Sequence, residues 1–273
     1  MQNISINKSQ DNLFLFLIDF SEESYVALDY LIKLVKSIGG QIELFHITNS
    51  IDSNTETVLV NLQTTAEKDT IRKKFKVIIE MIEVENIKTT ASHAFGNFEM
   101  ELKSKLSQQK YTVVLGKNEN GFIKVSSNFL VNKYNGNLLI LGQKSDFKSG
   151  NSIVIGGDQI SLNNCDLGLP AFFSDSIKTP IIVLQSNLNE DININLSLKF
   201  PDSEKPEVYY QNLNHKRMLD GLKEFINNNQ VELLCICRNK ANDSLLNRLV
   251  KSRKTTKEIV NSINTPLLIM AEK

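Results

Sequence analysis

The sequence predicts an α/β protein built of two successive units, each a five-stranded parallel sheet flanked by helices. Short uninterrupted apolar runs alternate along the chain with apolar residues at helical spacing, the pattern of parallel strands covered on both faces. The pattern also occurs twice. Tyr111–Gly116 leads through a polar stretch to Asn137–Leu141, just as Glu232–Cys237 leads to Pro266–Met270. Spacing agrees with this: Asp19 lies 22 residues before Gln41, and Asp158 lies 22 before Pro180. An internal repeat of about half the chain is therefore expected.

The first strand is expected over Leu13–Ile18. Ser21 can cap the following helix, and Glu22 and Glu23 suit its positive first turn. Ala27, Leu31, Leu34, Val35 and Ile38 recur at helical spacing until Gly39 and Gly40 stop the helix. Gln41–Ile47 reads as a second strand and Ile51–Thr57 as a polar, mobile loop. Phe75, Ile78, Ile79 and Ile82 mark a long second helix, Ile87–His93 a third strand, and Phe98, Leu102 and Leu106 a third helix. The fourth and fifth strands close a first domain over residues 1–146, and Lys144–Gly150 is read as a short linker. A second domain over residues 151–273 restarts at Ser152–Gly156, followed by a strand from Pro180 to Leu184. Its middle is reduced, since Gln185–Lys205 is polar and lacks helical periodicity. Glu207–Gln211 resumes as a strand, and Leu219, Leu222, Phe225 and Ile226 line a helix.

With 31 basic and 31 acidic side chains, no net charge draws the protein to nucleic acid or to anionic lipid. No apolar run approaches the roughly 18 residues of a membrane span, and Met1–Ser5 lacks the basic and apolar regions of a secretory signal. Three cysteines argue against a disulfide framework and fit a reducing cytoplasm, the expected location. Cys235 and Cys237, two apart on a strand, face one side and read as buried, inert thiols. His46 and His93 fall near strand ends and approach each other in this topology, but too few ligands accompany them for a metal site, and none is expected.

An apolar strand, Asp-x-Ser, and a helix ending in Gly before a strand that contains His resemble the universal stress protein family. The matching residues are Leu15–Asp19, Ser21, Ser24, Ala27, Leu28 and Leu44–Ile47. The paired units resemble the tandem form of that family, and the likeness covers nearly the whole chain. It implies two Rossmann-like units of the adenine nucleotide alpha hydrolase type, with the fifth strands pairing them into a pseudo-dimer. In members that hold ATP, the fourth strand is followed by Gly-x2-Gly-x9-Gly-Ser/Thr. Its glycines bring backbone N–H groups to the phosphates, and its hydroxyl adds a donor at a helix start. An Asp after the first strand lies near the adenine end, in the crevice at the carboxyl ends of the strands.

The second half keeps this register without the residues. Arg238, Ala241 and Lys251 stand at the three glycine positions and Ser252 at the hydroxyl position. Cationic side chains there fill a phosphate cradle, so a triphosphate held in the family manner is not expected; Arg238, Lys251 and Ser252 read either as an anion site or, more simply, as a solvated basic stretch. The first half departs differently. Gly116 is followed by Gly121 after four residues rather than two, and Ser126-Ser127 replaces the Gly-Ser pair. Asp19, Ser21, Gly116, Gly121, Ser126 and Ser127 form the candidate nucleotide site. The simpler reading makes Asp19 a strand-ending helix cap and Ser126 and Ser127 an N-cap pair.

No Walker loop, dinucleotide fingerprint or Gly-x-Ser-x-Gly elbow occurs, so nothing in the sequence proposes catalysis. The expected function is that of a non-enzymatic tandem universal stress protein, without a cofactor, acting through unidentified protein partners, with the two halves paired inside the chain and a homodimer compatible with that. The alternative is a stress sensor that binds ATP or AMP at the modified first-half site.

Overall fold

The computed structural model describes residues 12–48, 57–117, 129–131, 133–142, 145, 147, 151–156, 164–185, 208–212, 218–237 and 265–272. In chain order the elements are β1 (Leu13–Leu17), α1 (Glu22–Ile38), β2 (Gln41–Thr48), α2 (Thr57–Glu83), β3 (Lys88–Phe95), α3 (Phe98–Leu106), β4 (Thr112–Gly116) and β5 (Leu138–Leu141). There follow β6 (Ser152–Gly156), α4 (Gly168–Ile177), β7 (Ile181–Gln185), β8 (Val208–Asn212), α5 (Met218–Asn228), β9 (Val231–Cys237) and β10 (Leu267–Met270). The expected strands and helices are present with small changes at their ends; β3, for instance, runs two residues past His93 because it stays paired with β2 as far as Thr48↔Phe95.

All ten strands form one sheet in the order β3-β2-β1-β4-β5-β10-β9-β6-β7-β8. Each half of the chain thus contributes its third, second, first, fourth and fifth strands in that order from its outer edge. Neighbours within a half are parallel, whereas β5 and β10 meet antiparallel, with Leu139 opposite Leu268. The β5–β10 seam makes the sheet continuous from one edge to the other.

The strand period of two sorts the apolar residues into two layers. Phe14, Phe16, Leu139, Leu141, Ile153, Ile155, Leu268 and Met270 face α1, α2 and α4 on one side. Leu15, Leu17, Leu138, Ile140, Val154, Leu267 and Ile269 face α3 and α5 on the other. Each layer crosses from the first half of the chain into the second, so the core is divided by sheet face rather than by half.

Within the expected linker Lys144–Gly150 the described positions are packed: Ser145 is buried, its hydroxyl accepts from Gly142 N (2.8 Å), and Phe147 packs edge-on against Tyr30 at 5.7 Å. Three expectations need correction. The expected loop Ile51–Thr57 is one residue too long, because Thr57 already opens α2. The equal 22-residue spacing conceals a different layout, because α1 starts at Glu22 while α4 starts only at Gly168. Cys165, just before α4, bridges Glu272 and is joined by a disulfide to Cys237, with Cα atoms 5.7 Å apart. Cys237 is therefore not a free thiol. Distant cysteines can be brought within bridging range only by the fold, which spacing does not reveal. Cys235 is the buried free thiol, and burial pushes its pKa far up, as an inert core residue requires. Residues 51–56, Asp158 and residues 186–205 lie outside the described residues.

Candidate functional site

The carboxyl ends of β1 and β4 meet at the first turn of α1. Ser21 caps that helix with an extended backbone, its hydroxyl accepting from Ser24 N at 3.2 Å. Asp19 sits behind the cap. Its Oδ1 accepts from Ser21 N (3.0 Å), from the Ser21 hydroxyl (2.5 Å) and from the Ser24 hydroxyl. Burial alone would raise the Asp19 pKa, but these bonds from Ser21 and Ser24 outweigh it and hold the carboxylate below its ordinary range. Asp19 is thus an anion whose Oδ1 is engaged by the helix start that follows it. Ser24 belongs to this cluster, and the short-range spacing Asp-x-Ser-x-x-Ser is the signal that could have found it.

Gly116 ends β4 beneath the same turn. A Cβ built there would lie 3.0 Å from Ala27 Cβ and 3.1 Å from Glu23 O. Helix α1 packs so closely on the strand end that a side chain would displace it, and no ligand is needed to explain the glycine. The structure therefore brings Asp19, Ser21 and Gly116 to one place. Gly121, Ser126 and Ser127 lie outside the described residues, as do Arg238, Lys251 and Ser252.

Between Asp19 and Ser21 the chain turns through Phe20, whose φ of 62° is costly for a bulky residue. The turn lays the Phe20 ring against His46 (4.8 Å between centroids) and Phe75 (5.6 Å). His46 in turn faces His93 at 5.4 Å, and His93 faces Phe95 at 4.3 Å. Five rings thus run from α2 across the ends of β1, β2 and β3. Two lysines flank the row: Lys74 Nζ is 4.7 Å from the Phe20 centroid and Lys68 Nζ 5.1 Å from that of Phe95. His46 Nδ1 donates to Ile18 O (2.7 Å), and His93 Nε2 pairs with the Thr48 hydroxyl (2.9 Å). Burial lowers both imidazole pKa values; for His93 the neighbouring His46 and Lys68 add to it and bring the value to about 4. Both rings are neutral at pH 7. Among the described residues no group of three or more His, Cys, Asp or Glu could hold a metal ion.

A cavity of about 910 Å³ opens beside this row of rings, between α2 and the edge strand β3. Phe75, His93 and Phe95 line it together with Lys68, Arg72 and Glu80. Its mixed charge selects no sign of ligand, and it lies outward of Asp19 and Gly116 rather than over them.

The second half has a different arrangement at the matching place. Where β4 ends in Gly116, β9 ends in Cys237, tied to Cys165. Cys165 is fully buried and Leu167 nearly so, and Asp166 N donates to Ala271 O just beyond β10 at 2.9 Å. Residues 165–167 therefore lie across the carboxyl ends of β9 and β10.

No protein-family model and no curated protein matches the chain. Solved structures do. A universal stress protein from Archaeoglobus fulgidus DSM 4304 superposes with a TM-score of 0.68 at 14% identity, over 95% of this chain and 98% of that one. A putative universal stress protein from Pseudomonas aeruginosa UCBPP-PA14 gives 0.54 at 10% identity, over 97% and 94%. The cytoplasmic domain of a prokaryotic cation chloride cotransporter gives 0.52 at 14% identity, over 95% of each chain. The fold is that of the universal stress proteins, present end to end.

Proposed function

From the universal stress protein fold as premise, we propose that this chain is a non-enzymatic stress-response protein that acts through protein contacts and does not hold ATP in the family manner. One observation carries the reading. In the second half, residues 165–167 and the Cys165–Cys237 bridge lie at the end of β9, where a phosphate held in the family manner would approach. In the first half the Ser21 and Ser24 donors already turn onto Asp19, and Gly116 is consumed by contact with α1. The two halves act as one body, paired through β5 and β10. Among the described residues no helix is long and apolar enough to cross a membrane.

The second reading is a sensor of adenine nucleotide in the first half, with Asp19, Ser21, Gly116, Gly121, Ser126 and Ser127 around the ligand. What favours it is the meeting of Asp19, Ser21 and Gly116 at the positive end of α1. Melting the protein with ATP, ADP or AMP in millimolar excess separates the two, since a ligand specific to the folded state raises the melting temperature. No shift is expected. A rise of several degrees, abolished by Asp19→Ala, establishes the sensor instead.

A further inference from the structure

We propose that a hollow at the amino ends of β4 and β5, at the opposite end of those strands from Asp19 and Gly116, binds a small anion carried on a flat apolar body. Its cationic groups are Lys103, Lys110 and Lys133, and its floor is Phe129 and Tyr134.

These lysines come from the end of α3, the approach to β4 and the approach to β5, so only the packing of the two strands gathers them. The hollow holds about 460 Å³, within the range of small-ligand sites, and no carboxylate is among its described lining residues. Lys103 and Lys133 both stand over the Phe129 ring, their Nζ atoms 5.4 and 5.6 Å from its centroid. Phe129 is buried. Tyr134 is tied down: its hydroxyl donates to Tyr111 O at 2.5 Å, and its ring lies where any Cβ on Gly136 would fall. The floor is thus built before a ligand arrives, which lowers the ordering cost of binding.

Exposed lysines are ordinarily solvated and carry no message. Here they share one concavity, and their counter-charges lie at its rim. Lys133 reaches Glu99 only at 3.7 Å and Lys110 reaches Asp166 only at 3.8 Å, and these lysine side chains are 61% and 77% exposed, so neither pair neutralises much in water. The carbonyl end of α3 opposes an anion, but a helix end counts for about half a charge and three ammonium groups exceed it. The apolar floor is what separates this site from one for a bare ion. A ring lying on Phe129 and Tyr134 would set its anionic substituent among the three lysines. A hollow of this size suits a small molecule rather than a peptide segment.

Titration calorimetry with phenyl phosphate, phenol and inorganic phosphate tests the proposal on the whole chain. Phenyl phosphate is expected to bind with a dissociation constant of about 1 mM or tighter, and each of the other two about tenfold more weakly or not at all. The Lys103→Gln/Lys133→Gln protein should melt normally and bind phenyl phosphate about tenfold more weakly, whereas Lys103→Arg/Lys133→Arg should retain it. The proposal is overturned by any of three results: no heat with phenyl phosphate up to about 10 mM, equal affinity in the Gln protein, or inorganic phosphate binding as tightly as phenyl phosphate. The last would mean that the lysines attract an ion without using the floor.

Discussion

The hydroxyl of Tyr30 on α1 donates to Oε1 of Glu232 on β9, 2.9 Å away and out of solvent, across 202 residues of sequence. The neighbours of Glu232 explain how it gets there. Consecutive residues Ser152 and Ile153 on β6 pair with Val231 and Leu233, so Glu232 is the extra residue of a β-bulge. A bulge re-aims a side chain, and this one sends the carboxylate to the α1 face, whereas Leu234 and Ile236 serve the other layer. Burial first, and then the charge and hydrogen bond of Glu232, push the Tyr30 pKa well above its usual value, so the phenol stays protonated and donates.

Tyr30→Phe should therefore cost about 1–3 kcal/mol, since it strips a buried carboxylate of a donor. Urea unfolding measures this. Adding Glu232→Gln to Tyr30→Phe should recover part of the loss, because a buried amide tolerates one donor fewer at lower cost than a carboxylate does.

Gly116 and Ala27 should behave as a coupled pair. Gly116→Ala sets a methyl group 3.0 Å from Ala27 Cβ and should cost about 1–3 kcal/mol. Ala27→Gly alone should cost about 1 kcal/mol of helix propensity. The double variant should be more stable than the sum of the two predicts, in a double-mutant cycle read by denaturant.

Buried ion pairing predicts a larger effect on the α3 face. Glu43 on β2 accepts from Ser92 (2.9 Å) and Tyr111 (2.7 Å) and pairs with Lys105 Nζ at 2.5 Å, the two side chains being only 10% and 13% exposed. Burial raises the Glu43 pKa, but the Lys105, Tyr111 and Ser92 bonds together bring it below normal. Lys105→Met leaves that carboxylate without its cation and should cost about 3 kcal/mol or more in denaturant unfolding.

Acid should loosen the row of rings. His46 and His93 are held less basic than in the unfolded chain, with His93 at about 4 against an ordinary 6.5. Between those values the unfolded chain binds more protons than the folded one, so stability is full above pH 6.5 and declines as pH falls toward 4. Asp19 and Glu67 partly offset a charge on His46, whereas Lys74 opposes it, and Lys68 opposes one on His93. The melting temperature should drop across this window, and His93→Gln should flatten the drop. Asp19, held below 3.8, adds its own loss only at lower pH.

Much of this architecture was legible in the chain because burial imposes a period. Leu13–Leu17, Leu138–Leu141 and Leu267–Met270 read as strands covered on both faces, and Ser21 before Glu22 and Glu23 reads as a helix start. Asp19 and Ser21 were legible as a pair for the same local reason: residues two apart meet whatever the rest of the chain does. Phe20 was not, since nothing in a Phe codes for a positive φ; the packing of its ring on His46 and Phe75 imposes it.

Side-chain type and local spacing are enough to specify the elements, their order and the absence of glycine at positions 238, 241 and 251. Long-range packing settles the rest. The bulge that turns Glu232 to Tyr30, the disulfide from Cys165 to Cys237, the close approach of α1 to Gly116 and the gathering of Lys103, Lys110 and Lys133 all join residues far apart in the chain. Such contacts arise where strands and helices close on one another, and no periodicity along a single segment encodes them.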